Sequence, residues 1–483
     1  MSRDVSYPTY RNLPPLAGVC SMQRAVQAEW SLDESVDRLK RLHYVMRRLH
    51  EALTARITAE PIYELKTLFA HHGYLFAEHV EATRKRVSEM REPPLGLDRV
   101  PHAGLERAFD DWQSAPQTAD LVAALYHHLL PRVHRAWQDL RDQAHPLADA
   151  PTVRTAKLIA FELEEIIRCG QRAADCLDDA EGANNAGDSK DADARDAWLQ
   201  HLMDALAAAG QIDGREPSDQ PVPDPWPGSE PYRYDPVPQR DERFRDPYNA
   251  GVNPEAFLYD PGFRPRDKTL MMYYKRIREL DVPEMMASIL VEMRSEQPWA
   301  FHMEMSRQLW DEARHAMMGE VGFVSQGIDW TQIPINFTWS LNLNSQLDVW
   351  QRHGVLFFIE QGLMPRTGKR YEYEVAYESG DPLAALFQDF DWADEVLHAQ
   401  IGRRWYVPRF KSLNEAMQYG DECWSKVLSH WQSYRDQGLT EHHNWWPALY
   451  TQACQNWGQA PDAAALAFDK TYENSRADLE ELD

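Results

Sequence analysis

The stretch "LWDEARHAMM", Leu309 to Met318, reads as a buried helix interrupted by Asp311, Glu312, Arg314 and His315. One reading makes these four a solvated helix face. The other notes that helical residues three apart point the same way, so Glu312 and His315 can grip one metal ion from one helix. A second stretch, "DEVLH" from Asp394 to His398, repeats the pattern with Glu395 and His398. With 18 His in the chain, about 1.4 Glu-x-x-His matches arise by chance; requiring the preceding Asp lowers this to about 0.1. Two such matches are therefore a signal. The Asp also has a chemical role, because a metal-bound imidazole usually donates its other ring N–H to a carboxylate. Asp311 is expected to orient His398, and Asp394 to orient His315, across a helix bundle, with Arg314 among these supporting groups.

A dinuclear site in a four-helix bundle needs two further carboxylates, one from each remaining helix. The first expectation is Glu284 in "DVPEMMASILVEM", 28 residues before Glu312, with a turn at Pro298 bringing the two side by side. Glu292 is the rival, but it lies only six residues before that proline. The second is Glu360 in "GVLFFIEQGLM", inside an almost unbroken apolar run. A carboxylate buried there is costly unless paired or coordinated. The plainer alternative for Glu360 is a salt bridge to Arg314 or Arg403. Trp310 and Trp392, near the two motifs, read as walls that keep water from the site.

The order Glu, Asp-Glu-x-x-His, Glu, Asp-Glu-x-x-His, from about Lys268 to Phe410, resembles the ferritin-like carboxylate-bridged di-iron superfamily. The resemblance implies a mainly α fold with a ferritin-like four-helix bundle in the C-terminal half. It implies Glu284, Glu312, His315, Glu360, Glu395 and His398 as metal ligands, with Glu312 and Glu395 bridging and central to catalysis. It further implies two Fe ions, or Mn or mixed Fe/Mn, and O2 as co-substrate. The long Pro-rich segment departs from the compact family pattern.

Around this core the chain divides by composition. Residues 1–176 are helix-periodic, as in "SVDRLKRLHYVMRRLHEAL". This half is open to several readings: a degenerate second ferritin-like bundle, a structural half, a cover for the C-terminal bundle, or a dimerisation surface. It contains no Glu-x-x-His; Glu64, His72, Glu78, His79, Glu162 and Glu165 are its weaker ligand candidates. Residues 177–266 combine the acidic stretch "DDAEGANNAGDSKDADARD", expected to be a loop, with a strap holding twelve of the 31 prolines. The strap's aromatic residues predict that it lies on a surface. The di-metal bundle is assigned to 267–457 and an acidic tail to 458–483.

The net charge of −25 argues against a phosphate-backbone partner. Five cysteines without a CxxC pair suggest neither a disulfide framework nor a cysteine zinc site. No run of about 18 apolar residues predicts a membrane span, and the expected location is the cytoplasm. The expected activity is O2-dependent oxidation of a small organic substrate by hydroxylation, N-oxidation or desaturation. An external electron donor, or the substrate itself, supplies the electrons. Two alternatives stand beside it, a ferroxidase that handles iron and a non-catalytic scaffold with a vestigial site.

Overall fold

The computed structural model describes residues 7–28, 30–91, 95–115, 117–184, 189–227, 230–336, 338–428 and 431–471. Among these the chain is mainly α and contains no strand. It divides into two compact units: residues 1–52 with 75–233, and residues 53–74 with 234–483. The observed division therefore falls inside two long helices, Leu32–Ala59 and Tyr63–Ser88, and inside the Pro-rich strap.

In the first unit, helix Leu130–Gln143 packs on Ala150–Asn184, and Ala103–Gln113 packs on Ser189–Ala208. Trp112 and Trp137 are fully buried. The acidic stretch expected to be a loop is helical at 178–184 and 189–196, with 185–188 outside the described residues. Its alanines explain this, since Ala has the highest helix propensity. In the acidic tail the described residues hold the short helix Ala463–Leu466; residues 472–483 lie outside the described residues.

The second unit carries both motifs. Its central helices are α1 (Pro265–Arg278), α2 (Asp281–Glu292), α3 (Trp299–Ser325), α4 (Val349–Gly362), α5 (Lys369–Glu378) and α6 (Pro382–Trp405). The packing closes a ring: α1 and α2 lie on α3, α3 on α6, α6 on α4, and α4 on α2. α5 covers α1 and α6 from outside the ring. Local chemistry fixes the helix ends. Pro298 precedes the first turn of α3, where a proline costs no hydrogen bond. Asp348 starts α4 with a capping box closed by Gln351. The Asp381 carboxylate accepts from the Leu383 and Ala384 N–H groups, with Pro382 at the first helical position of α6.

α1 is buried on nearly every side, including Asp267, Arg276 and Arg278, and its Met271, Met272, Tyr273 and Tyr274 belong to the main core. It reaches that depth because α3 offers glycines where the two backbones meet. A Cβ on Gly319 would lie 2.3 Å from the Ile277 nitrogen, and one on Gly322 would lie 2.1 Å from the Tyr273 ring. This close approach holds the C-terminal end of α1 against the Glu312–His315 turn of α3. The strap is anchored within the same unit. The Thr58 hydroxyl donates to the Asp235 carbonyl at 2.7 Å, and the Gln239 N–H donates to the Thr58 carbonyl at 2.9 Å. No helix among the described residues is long and apolar enough to cross a membrane.

Gly319→Ala is expected to cost about 2–3 kcal/mol, since backbone atoms cannot yield to the added methyl. Gly362→Ala, where nothing lies within 4 Å, is expected to change stability by less than about 0.5 kcal/mol. Thermal and denaturant unfolding of the two variants checks the contrast.

Candidate metal centre

Glu312 and His315 on α3, and Glu395 and His398 on α6, face one another inside the ring and are buried. Glu312 Oε1 lies 3.1 Å from His398 Nδ1, and the His315 and His398 ring centres are 5.9 Å apart. Glu360, from the apolar face of α4, brings its Oε1 to 3.8 Å from His398 Nδ1. Glu312, Glu360, Glu395 and His398 thus form one group whose ligand atoms all lie within 4.8 Å of one another. A second group joins Glu279, Glu312 and His315, and a third joins His315, Asp391 and Glu395. Glu312 and Glu395 each belong to a group around either histidine.

The expected Glu284 is not there. Its carboxylate accepts from Lys66 Nζ at 2.5 Å, Arg240 Nε at 2.9 Å and the Ser340 hydroxyl at 2.6 Å. Lys66 and Arg240 hold it below the usual carboxylate range in spite of burial. Glu279 takes the position instead, with Oε2 3.4 Å from His315 Nδ1. Pro283 explains the local geometry: it has no N–H to donate to the Glu279 carbonyl, and its ring crowds that group. The helix therefore breaks between α1 and α2, and the Val282 N–H donates to the Glu279 carbonyl instead, at 3.0 Å. Beyond this break, Glu284 lies inside α2 and turns to Lys66, Arg240 and Ser340. Spacing held a clue. Glu279 precedes Glu312 by 33 residues and Glu360 precedes Glu395 by 35, whereas Glu284 precedes Glu312 by 28.

The orienting carboxylates lie across the ring as the two Asp-Glu-x-x-His motifs anticipate. His398 Nε2 donates to Asp311 at 3.3 Å, and His315 Nε2 donates to Asp394 at 3.2 Å. Arg314 ties the two together, bonding Asp311 and reaching Asp394 at 2.8 Å. Arg307 adds a further bond to Asp311 at 2.9 Å. With each Nε2 committed as a donor, each Nδ1 carries the free lone pair whenever the ring is neutral. Both Nδ1 atoms are buried without a hydrogen bond, and so are Glu279 Oε2, Glu312 Oε1 and Glu395 Oε2. Buried polar atoms are normally satisfied, and these five unsatisfied atoms belong to residues that could hold a cation. Glu360 is held by Gln308 Nε2 at 3.0 Å, while Arg403 bonds Gln361. The salt-bridge reading of Glu360 finds no arginine.

Five polar residues of the site escaped the sequence reading. Besides Glu279 and Gln308, Lys369 places its Nζ 2.8 Å from Glu395 Oε1 and 2.8 Å from Asp391 Oδ2. Asp391 also pairs with Arg276, whose NH2 lies 2.8 Å from Glu279 Oε1. Nothing in the motifs predicts Lys369. It arrives through the tight turn at Gly368, where a Cβ would lie 2.2 Å from the Leu363 carbonyl oxygen.

A cavity of about 350 Å³ opens beside Glu279, Glu312, Glu360 and Glu395. Val282, Met285, Leu343, Ile359 and Leu363 line it, with Trp339 and Trp424 packed edge to face. The expected wall residues stand elsewhere: Trp310 stacks on His71, and Trp392 lies near Tyr373. The weaker N-terminal candidates do not assemble into a ligand group among the described residues. Glu64 pairs with Arg243, Glu165 with Arg168, and His79 with Glu162. His72 is buried and Glu78 exposed.

Electrostatics fit the same picture. Burial and the neighbouring Glu395 and Glu312 push the Glu360 carboxyl well above its ordinary range. Burial opposes charge on the imidazoles, yet the surrounding carboxylates raise His315 to about 10 and His398 well above its usual value. These shifts favour protons on both rings in the metal-free chain and draw a proton towards Glu360. A metal must displace them, so affinity rises as pH rises towards 10. Calorimetric Mn(II) titrations in buffers of different ionisation enthalpy are expected to show roughly two to three protons released per chain near pH 7.

Glu279→Ala is expected to lose metal. Glu284→Gln is expected to keep it, but to unfold about 3 kcal/mol more easily, because Lys66 and Arg240 stay buried beside a neutral group. Metal analysis together with thermal melts separates the two carboxylates. No family model, curated protein or solved structure matches this chain.

Proposed function

We propose that this chain is an oxidoreductase that uses O2 at a carboxylate-bridged dinuclear iron centre to oxidise a small organic substrate, on a ferritin-like four-helix scaffold. One observation carries the reading: five orphaned, buried ligand atoms converge from α1, α3 and α6 beside an apolar cavity. Glu279, Glu312, Glu360, Glu395, His315 and His398 would hold the metals. Four carboxylates and two imidazoles are a hard donor set that suits iron, or manganese in one or both positions, better than a closed zinc site. Two bound ferrous ions supply electrons for O2 reduction, and an external donor or the substrate restores them.

The protein's own residues do the rest. Glu312 and Glu395 reach towards both histidines and set the spacing of the two positions. Asp311 and Asp394 fix ring orientation and tautomer through the Nε2–H bonds, and Arg314 and Arg307 lock those carboxylates in turn. Trp339, Trp424 and the aliphatic wall exclude water and hold an apolar substrate against the four glutamates. The aliphatic and aromatic part of this wall suits an organic substrate, while Glu255, Asp281, Lys275 and Arg278 give the same cavity a charged side.

Anaerobically Fe(II)-loaded protein exposed to O2 is the direct test. Consumption of about one O2 per two Fe(II), ending without further iron uptake, is expected. Growth of a ferric mineral core with excess Fe(II) would favour the ferroxidase reading instead. His398→Ala is expected to abolish O2 uptake and metal binding while far-ultraviolet circular dichroism stays native. Asp311→Asn, which keeps the ligands but loses the acceptor for His398, is expected to weaken metal binding by about 10- to 100-fold. Native metal content in His398→Ala would overturn the assignment.

A further inference from the structure

The six ligands form two halves with different surroundings. One half is Glu312, Glu360, Glu395 and His398. Its outer carboxylate, Glu360, accepts from the neutral Gln308 amide at 3.0 Å. The other half is Glu279, Glu312 and His315, extended by Asp391 and Glu395. Two buried cations already sit in it. Lys369, fully buried, reaches Asp391 and Glu395 at 2.8 Å. Arg276, also fully buried, reaches Glu279 at 2.8 Å and pairs with Asp391.

We infer that the two halves bind metal unequally: the Glu360–His398 half fills first and tightly, and Lys369 with Arg276 weakens the Glu279–His315 half. The inference rests on the dinuclear reading above. Its physical basis is charge placement. An ion entering the first half meets one fixed cation, Lys369 on the shared Glu395, and among the described contacts none against Glu360. An ion entering the second half meets carboxylates already compensated by fixed cations and is repelled by them at short range, where the protein interior screens poorly.

Lys369 is thus a positioning residue that sets how much metal the second half takes. Its ammonium occupies one oxygen of Glu395, the carboxylate shared by both halves. A second ion must draw Glu395 away from Lys369 or accept one oxygen fewer. Arg276 restrains Glu279 in the same way. Lys369→Met keeps the length and bulk of the side chain without its charge. Asp391 would retain Arg276 as a partner in that variant.

The test is an anaerobic titration of the metal-free full-length chain with Mn(II), followed by electron paramagnetic resonance and calorimetry. In the native chain the first equivalent is expected to give an isolated six-line signal. The second should bind at least tenfold more weakly and bring in the spin-coupled spectrum. In Lys369→Met the gap between the two affinities should shrink by tenfold or more. In Glu360→Gln the tight class should be the one lost. The native titration stands even if a variant fails to fold. Equal affinities in the native chain, or an unchanged gap in a folded Lys369→Met protein, would overturn the inference while leaving the dinuclear centre intact. Absence of any Mn(II) binding would overturn both.

Discussion

The structure depends on how buried negative charge is compensated. Glu312, Glu360, Glu395 and Asp391 are buried together, and Glu279 faces the cavity beside them with 14% of its side chain exposed. An ion removed from water costs several kcal/mol even after relaxation. Lys369 and Arg276 balance part of this charge, and protons on His315, His398 and Glu360 can balance more. A pair of divalent cations would offset the four glutamates and satisfy the orphaned oxygens and nitrogens at the same time. The same demand explains why the ring of helices can tolerate so polar an interior.

Support for the site comes from close packing. The α1–α3 approach at Gly319 and Gly322 carries Arg276 and Glu279 to the centre. The break at Pro283 turns Glu279 towards His315 and lets α2 continue in a different direction. Around Glu284 a separate network neutralises what would otherwise be a competing carboxylate. Arg240 comes from the strap and Lys66 from the helix Tyr63–Ser88, and both pair with it. The Pro-rich segment is therefore structural at this point, because it delivers a guanidinium to a buried acid.

The two Asp-Glu-x-x-His motifs were legible because their chemistry is local. A Glu and a His three residues apart share a helix face wherever that helix ends up, and the preceding Asp is directed by the same turn. Glu360 was legible for a related reason, as a lone acid in an apolar run that has to be compensated. The helical class and the start of α3 followed from periodicity and from Pro298. The acidic stretch misled because low hydropathy was weighed above the helix propensity of its alanines.

What the sequence by itself determined is the donor chemistry: which helices carry a Glu-x-x-His turn, and that two such turns are present. Only the tertiary structure decided which acid completes the set and which cations oppose it. Glu279 and Glu284 are equally good ligands as isolated residues. They are separated by a kink and by partners that lie far away along the chain. Lys369 enters through a turn with no metal-site signature. Long-range charge pairing is invisible to local pattern, because it depends on which distant side chains share one water-free volume.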